Sequence, residues 1–378
     1  MTSNENQGSS PLADFWGASY FPALDGLRAI CILLVIFNHT HCHYPPFIYG
    51  WVGVDIFFVL SGFLITTLLL RERESYGSLS LKGFYTRRAF RILPVYFAVL
   101  AGYLLLIPLL RDWKRWQEMK LALPYLLTFT QEFRPAAAGN IYNQTWSLGY
   151  EEKFYLMWPL LVLIVFPFRT RRIAILVAAA SLILLLPPTG ARSYGGLFLG
   201  ALFGILLDKS SGRLIQSSVA KAPAALALAA VIATYLLVGH EPSLILLFSL
   251  ATSFFTAALV THQGFVRRLL EHPVMVLFGK RSYAMYLVHI VLLDGIEVAA
   301  RRMHLDLWYV VVPIAYLASF AAAMALFYVI ERPAIAHGRE LSRQMRKRIS
   351  GAQQFRAEPA GSGVAVIERE EVGVPRAF

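Results

Sequence analysis

Residues 24–42 read LDGLRAICILLVIFNHTHC. From Ala29 to Phe37 every side chain is apolar, yet the stretch opens on Asp25 and Arg28 and closes on His39 and His41. At about 1.5 Å per residue it is long enough, as a helix, to cross a hydrocarbon core of about 30 Å. Similar apolar runs recur almost to Arg332. The whole chain of 378 residues is 57% hydrophobic and only 15% charged, with a mean hydropathy of +0.55, well away from soluble-globular composition. The predicted fold class is all-α, a polytopic membrane helix bundle of about ten transmembrane helices.

The predicted spans are 22–42, 51–70, 88–110, 151–168, 172–187, 194–207, 222–239, 243–262, 275–298 and 307–331. Residues 1–21 form a cytoplasmic N-terminal segment, 22–333 the transmembrane domain and 334–378 a cytoplasmic tail expected to be disordered, being polar, Arg-rich and without sustained periodicity. The first apolar segment is too long for a signal peptide's core and no small-residue cleavage site follows it, so it is expected to stay in the mature protein. With the N-terminus inside, the inner loops carry Arg71, Arg73, Lys82, Arg87, Arg88 and Arg91, then Arg169, Arg171 and Arg172, then Lys209, Arg213 and Lys221, then Arg267 and Arg268. That pattern is positive-inside. It accounts for the net charge of +12 without a nucleic-acid partner; the bilayer is the partner these loops imply. Residues 111–150 are the longest connection, and their apolar piece LALPYLLTFT is too short to span, so it is re-entrant or interfacial. Cys31 and Cys42 lie eleven residues apart on the same predicted helix, too far for a disulfide between them.

On a helix of 100° per residue, Asp25, Arg28 and His39 fall within about a 60° arc, with His43 on the same side. Charged groups in a bilayer usually face a bundle interior or a water-filled cavity. For Asp25 and Arg28 the plainer account is snorkelling at the inner end, and for His39 an interfacial position at the outer end. His39, Cys42 and His43 also have a spacing that could serve zinc, but no further ligand cluster completes a site and no metal is expected. Asp55 and Ser61 interrupt the apolar run GWVGVDIFFVLSGFLITTLLL, whose glycines allow close helix packing. In FYTRRAFRILPVY, Arg87, Arg88 and Arg91 gather at one helix end, either as membrane anchors or as a clamp whose guanidinium forks suit phosphate oxygens. TWSLGYEEKFYLMWP places Glu151 and Glu152 where an outer loop enters the membrane. A carboxylate there could mark a helix start, or could reach an imidazole and raise its basicity.

Taken in order, LDGLRAICILLVIFNH, GWVGVDIFFVLSGFLI, RRAFRILP, WSLGYEEKFYLMWP and FGKRSYAMYLVH followed by ERP cover most of residues 22–333. In these segments the chain resembles the membrane acyltransferase-3 family of integral-membrane O-acyltransferases. The resemblance implies a ten-helix bundle that moves an acyl group, acetyl by default, from cytoplasmic acyl-CoA to a hydroxyl of an extracytoplasmic or lipid-linked glycan. By match to the motifs, His39 corresponds to the family's essential histidine, Arg88 and Arg91 to its paired arginines, Asp25 and Arg28 to the first motif, and Glu151 to the glutamate after WSL. Trp146, Ser147, Tyr283 and Asp55 are expected to support the site, and Arg87 to assist the arginines. Lys153 and the pair Lys280–Arg281 depart from the usual pattern, which bears on donor or acceptor preference. The chain reads as a transferase core without a hydrolase-like C-terminal domain.

On this reading the arginines hold the phosphates of CoA at the inner face of the cytoplasmic membrane. His39 acts as general base at the outer side, with Glu151 holding its tautomer; a covalent acyl-histidine is the variant. Lipopolysaccharide O-antigen, exopolysaccharide, a lipid-linked oligosaccharide and a small glycosylated product such as a macrolide are all open as acceptors. The competing class of function is a proton-coupled transporter, for which the sequence offers neither inverted repeats nor broken helices in corresponding halves.

Overall fold

In the computed structural model, residues 15–18, 20–43, 45–165, 188–208, 224–305 and 307–357 are described. Among them there are helices and no strands. In chain order these are α1 (Pro22–His39), α2 (Val52–Tyr76), α3 (Leu81–Leu109), α4 (Trp113–Leu127), α5 (Trp146–Val165), α6 (Pro188–Leu206), α7 (Ala224–His240), α8 (Ile245–Thr261), the short α9 (Phe265–Leu270), α10 (Pro273–Arg302) and α11 (Trp308–Leu326). A π-helical turn, Phe327–Glu331, leads from α11 into α12 (Arg332–Ala357).

The stretches Pro22–His39, Val52–Tyr76, Leu81–Leu109, Pro273–Arg302 and Trp308–Arg346 are long and apolar enough to cross a membrane, and Arg192–Leu206, Ala224–Gly239 and Ile245–Thr261 are shorter apolar helices. The chain is an all-α membrane bundle. Nine of the ten predicted spans coincide with a helix among the described residues; the other, 172–187, lies outside them.

Helix α1 is the central strut, packed between α2 and α10, while α2 packs on α6. Small residues bring these backbones together. A Cβ on Gly62 of α2 would stand 1.9 Å from the Leu197 carbonyl of α6, and one on Gly279 of α10 would stand 1.7 Å from the Asp25 carbonyl of α1. Neither position has room for a side chain, and the second fixes α10 against the polar end of α1.

The connection 111–150 folds inward. Met119, Ala122 and Leu126 of α4 are fully buried, and beyond α4 the chain makes three single 3₁₀ turns, Gln131–Phe133, Ala136–Ala138 and Asn143–Thr145. Helix α5 therefore starts at Trp146, five residues before the predicted span. Tyr96, midway along α3, donates its hydroxyl to the Leu126 carbonyl at 2.9 Å and accepts from Gln131 at 3.1 Å. Gln144 donates to the Leu287 carbonyl of α10 at 3.0 Å. Irregular backbone is tolerated at membrane depth only when protein satisfies it in this way.

Over 334–357 the expectation of a disordered tail is corrected by α12, which continues to Ala357 and lies along the start of α3; the rest of that expectation, 358–378, lies outside the described residues. Its inner stripe recurs every three to four residues. Gly338 meets Phe90, Ser342 accepts from Arg87 at 2.7 Å, and the Thr86 hydroxyl meets Met345 Sδ at 3.8 Å. A polar helix held by one narrow seam and an ion pair from Arg346 to Glu72 reads in sequence as a charged tail.

Candidate active site

Three neighbouring cavities run inward from the α12 end of the bundle. The largest, about 580 Å³, lies between α1, α10 and the start of α12; the second, about 200 Å³, lies between α2, α3 and α12. The third, about 80 Å³, is the innermost, with Ser61, Arg88, Ser147, Glu151 and Tyr283 in its wall. Arg91 lines all three, and Arg28 and Lys280 line both the largest and the innermost. The two arginines that sequence placed at a helix end thus stand at the junction of a basic passage. Arg88 lies on the face of Tyr155, its guanidinium carbon 3.6 Å from the ring centroid. Its Nε is buried without a hydrogen-bond partner among the described residues, a donor poised for an anion.

Arg87 differs from its two neighbours. Its guanidinium is held by Glu72 at 2.7 Å and by Ser342 at 2.7 Å, so it fastens α12 to α2 and α3. Asp25 accepts from Tyr20 at 2.5 Å and from Arg28 at 3.0 Å, which steers Arg28 into the neck between cavities. Ser147 shares a hydrogen bond with the Tyr286 hydroxyl at 2.8 Å, and Tyr283 donates to the Ile92 carbonyl at 3.0 Å. Trp146 is edge-on to Phe58 and Tyr150 and packs the start of α5.

Asp55 belongs elsewhere. Fully buried, it takes a two-pronged ion pair from Arg192 of α6, with Nε at 2.8 Å and a terminal nitrogen at 2.6 Å, and lines none of the three cavities. The pair holds α2 to α6. Breaking a buried pair from one side leaves its partner uncompensated, so Asp55→Ala is expected to cost about 3 kcal/mol of stability. Thermal melts in detergent check this: the Asp55→Ala/Arg192→Met double variant should recover part of the loss, with the turnover of folded protein unchanged in both.

His39 sits at the opposite end of α1 from Asp25. Its Nδ1 lies 2.8 Å from the Val35 carbonyl and so carries the proton, which leaves Nε2 with its lone pair and no hydrogen bond among the described residues. His289 of α10 donates from Nδ1 to the Tyr286 carbonyl at 2.7 Å and turns its own Nε2 to His39 Nδ1 at 3.3 Å. The second imidazole therefore fixes the tautomer of the first. The expected Glu151 partnership is corrected here: Glu151 accepts from Ser61 at 2.8 Å and faces the innermost cavity with Arg88, because the inward fold of 111–150 sets the start of α5 deep in the bundle. His289→Ala is expected to lower kcat three- to tenfold, the worth of one neutral hydrogen bond, with the donor KM unchanged. Glu151→Gln should leave the pH profile of kcat in place, and a displaced profile in that variant would restore the sequence-predicted pair.

Beyond His39 the end of α1 is tied to α10 by Glu297. This carboxylate, 1% exposed, accepts from the Thr40 hydroxyl at 2.8 Å, the His41 amide at 2.7 Å and His41 Nδ1 at 2.8 Å. His43 is exposed and Cys42 half-buried, and among the described residues no group of three His, Cys, Asp or Glu is placed to hold a metal ion. Lys153 lines none of the three cavities; it holds the Phe129 carbonyl at 2.9 Å and Glu132, pinning the inward-folded segment to α5. Sequence reading missed His289, although it is the last residue of the quoted segment FGKRSYAMYLVH, and it missed Arg192 and Glu297.

The described bundle thus holds a basic passage at one end and, at the other, an imidazole nitrogen with no hydrogen bond among the described residues. The family model described as "Acyltransferase domain" matches residues 21–332, and the chain belongs to this acyltransferase-3 family. A Staphylococcus aureus (strain COL) protein named "Putative O-acetyltransferase" is 29% identical over 312 residues, covering 74% of this chain and 51% of that protein. The Bacillus subtilis (strain 168) "Putative peptidoglycan O-acetyltransferase YrhL" is 28% identical over 373 residues, 86% of this chain and 57% of that protein. The Listeria monocytogenes "Peptidoglycan O-acetyltransferase OatA" is 32% identical over 165 residues, 39% of this chain and 25% of that protein. The chain spans about half the length of the curated relatives it matches over most of its own length. No solved structure matches it.

Proposed function

We propose that this chain is an O-acyltransferase of the cytoplasmic membrane that takes an acyl group, acetyl foremost, from acyl-CoA at the α12 end and gives it to a glycan or glycolipid hydroxyl at the His39 end. The observation that carries the reading is the placement of Arg28 and His39 on one face of α1, Arg28 in the neck of the basic passage and His39 eleven residues, about 16 Å, further along. The pantetheine arm of CoA, from its phosphate to its sulfur, is a chain equivalent to about four residues and reaches about 14 Å when extended. A donor whose diphosphate lies between Arg28, Arg91 and Lys280 therefore brings its thioester to the level of His39, given the reach of the arginine side chains. Phe57 and Tyr286, with ring centroids 6.5 Å apart, roof the innermost cavity below the histidine pair, so these rings part when the arm passes.

At the thioester, His39 Nε2 takes the proton of the acceptor hydroxyl as its oxygen attacks the carbonyl carbon. The tetrahedral intermediate collapses, the C–S bond breaks, and the imidazolium returns the proton to the leaving thiolate, giving ester and CoA. His289 keeps Nδ1–H of His39 directed away from the substrate throughout. The relatives named for peptidoglycan O-acetylation put a cell-wall glycan first among acceptors. The basic residues at the α12 end favour a cytoplasmic position for that end and for both termini.

Membranes carrying the chain, supplied with [14C]acetyl-CoA, are expected to label a glycan fraction, with peptidoglycan, glycolipid and soluble polysaccharide counted separately. Membranes without the chain should not. Equal label in both would remove the reading.

A further inference from the structure

The passage has two mouths at the α12 end, and CoA carries two chemically different parts, a narrow pantetheine arm and a bulky 3′-phosphoadenosine diphosphate. We infer that the larger mouth, between α1, α10 and the start of α12, is the binding pocket for the 3′-phosphoadenosine diphosphate end of the donor, and that Lys280, Arg281 and Arg339 are its phosphate-binding residues. The inference rests on the acyl-CoA reading above and deepens it.

Size is the first ground. A cavity of about 580 Å³ has room for a purine nucleotide, whereas the other mouth offers about 200 Å³. Charge is the second. The larger mouth holds six cationic side chains, Arg28, Arg91, Lys280, Arg281, Arg332 and Arg339, against the carboxylates of Asp25 and Glu331. The excess of four positive charges matches the roughly four negative charges of a diphosphate and a terminal phosphate together. In the smaller mouth Arg87 and Arg346 are engaged with Glu72 and Arg71 with backbone carbonyls at Phe15 and Ala18. Arg88 and Arg343 line it too, and Arg91 and Arg339 are shared with the larger mouth, so it is the volume, more than the charge, that sets the two mouths apart.

The third ground is an orphan donor. Arg281 lies over Phe327, guanidinium carbon 3.4 Å from the ring centroid, and its Nε is buried with no hydrogen-bond partner among the described residues. A buried guanidinium N–H without an acceptor calls for one, and a phosphate oxygen in the same cavity supplies it. Continuity is the fourth. The larger mouth meets the innermost cavity through Arg28, Arg91 and Lys280, so a diphosphate at this neck leaves adenosine on one side and pantetheine on the other.

The test compares donors. For the Lys280→Gln/Arg281→Gln variant the KM for acetyl-CoA is expected to rise at least about tenfold, the worth of one or more charge-assisted bonds. The KM for acetyl-pantetheine, which lacks the nucleotide, should stay within about twofold and kcat within about threefold. Adenosine 3′,5′-bisphosphate should compete with acetyl-CoA in the wild type and lose at least about tenfold in the variant, read also as direct binding to the purified protein. Arg339→Gln, on the outer part of α12, provides a second variant should the double one fail to fold, with the same sign. An unchanged acetyl-CoA KM in folded variants that still transfer would overturn the nucleotide pocket and leave the proposed function standing. Anionic-lipid vesicles competing with acetyl-CoA where the bisphosphate does not would overturn it in favour of a lipid site. If no acyl-CoA serves even the wild type, the proposed function itself fails.

Discussion

His39→Ala is expected to lower kcat for acyl transfer by about 10²–10⁴-fold, the usual contribution of a positioned general base. The melting temperature and the donor KM should stay near wild type. The stability half follows from the setting of the ring: its hydrogen bonds are to one backbone carbonyl and one neighbouring imidazole, and α1 is held at that end by Thr40 and His41 on Glu297. Losing the imidazole leaves His289 with its own bond to Tyr286. The kinetic half follows from Nε2, whose lone pair has no hydrogen-bond partner among the described residues. Initial rates at saturating acetyl-CoA, with a thermal melt of the same preparation, measure both together. A folded variant with near-normal kcat would remove His39 from the chemistry.

The second large effect is on donor binding. Arg91 is the one side chain common to the walls of all three cavities, so any ligand passing from either mouth to the centre meets it. Arg91→Gln keeps the length and a hydrogen-bond donor but removes the charge. The expected result is a rise of about 10- to 100-fold in donor KM, from about 1.5–3 kcal/mol for a charge-assisted bond, with a smaller change in kcat. The effect should weaken for acetyl-pantetheine, whose neutral arm has no phosphate for Arg91 to hold. A kcat defect at unchanged KM would instead assign Arg91 to packing around the buried Glu331.

Much of this is legible in the sequence. Helical periodicity alone puts Asp25, Arg28 and His39 on one face of α1, and apolar run length places the ends of nine spans within about seven residues of the described helices. What periodicity could not show was depth. Glu151 follows an aperiodic connection, and nothing in residues 111–150 announces that the Leu126 carbonyl and the Gln144 side chain find partners inside the bundle on Tyr96 and Leu287. Glu151 consequently reads as an outer-face residue when it belongs beside Arg88. Asp55 was recognisable as a buried acid, but its partner Arg192 lies 137 positions away and no local pattern links them. Helix α12 failed for a compositional reason: its seam is a single stripe in a polar segment, and polarity dominated the reading.

Sidedness is the central claim, since the proposed route of the pantetheine arm from the α12 end to His39 implies that donor and acceptor approach from opposite faces. It can be measured in sealed proteoliposomes with [14C]acetyl-CoA and soluble peptidoglycan glycan strands placed in the same compartment or in opposite ones. The experiment tolerates mixed insertion, because each molecule sees one face on each side. Label on the glycan only when donor and acceptor are separated by the bilayer is the result this account predicts. Equal label when both are on the same side would contradict it.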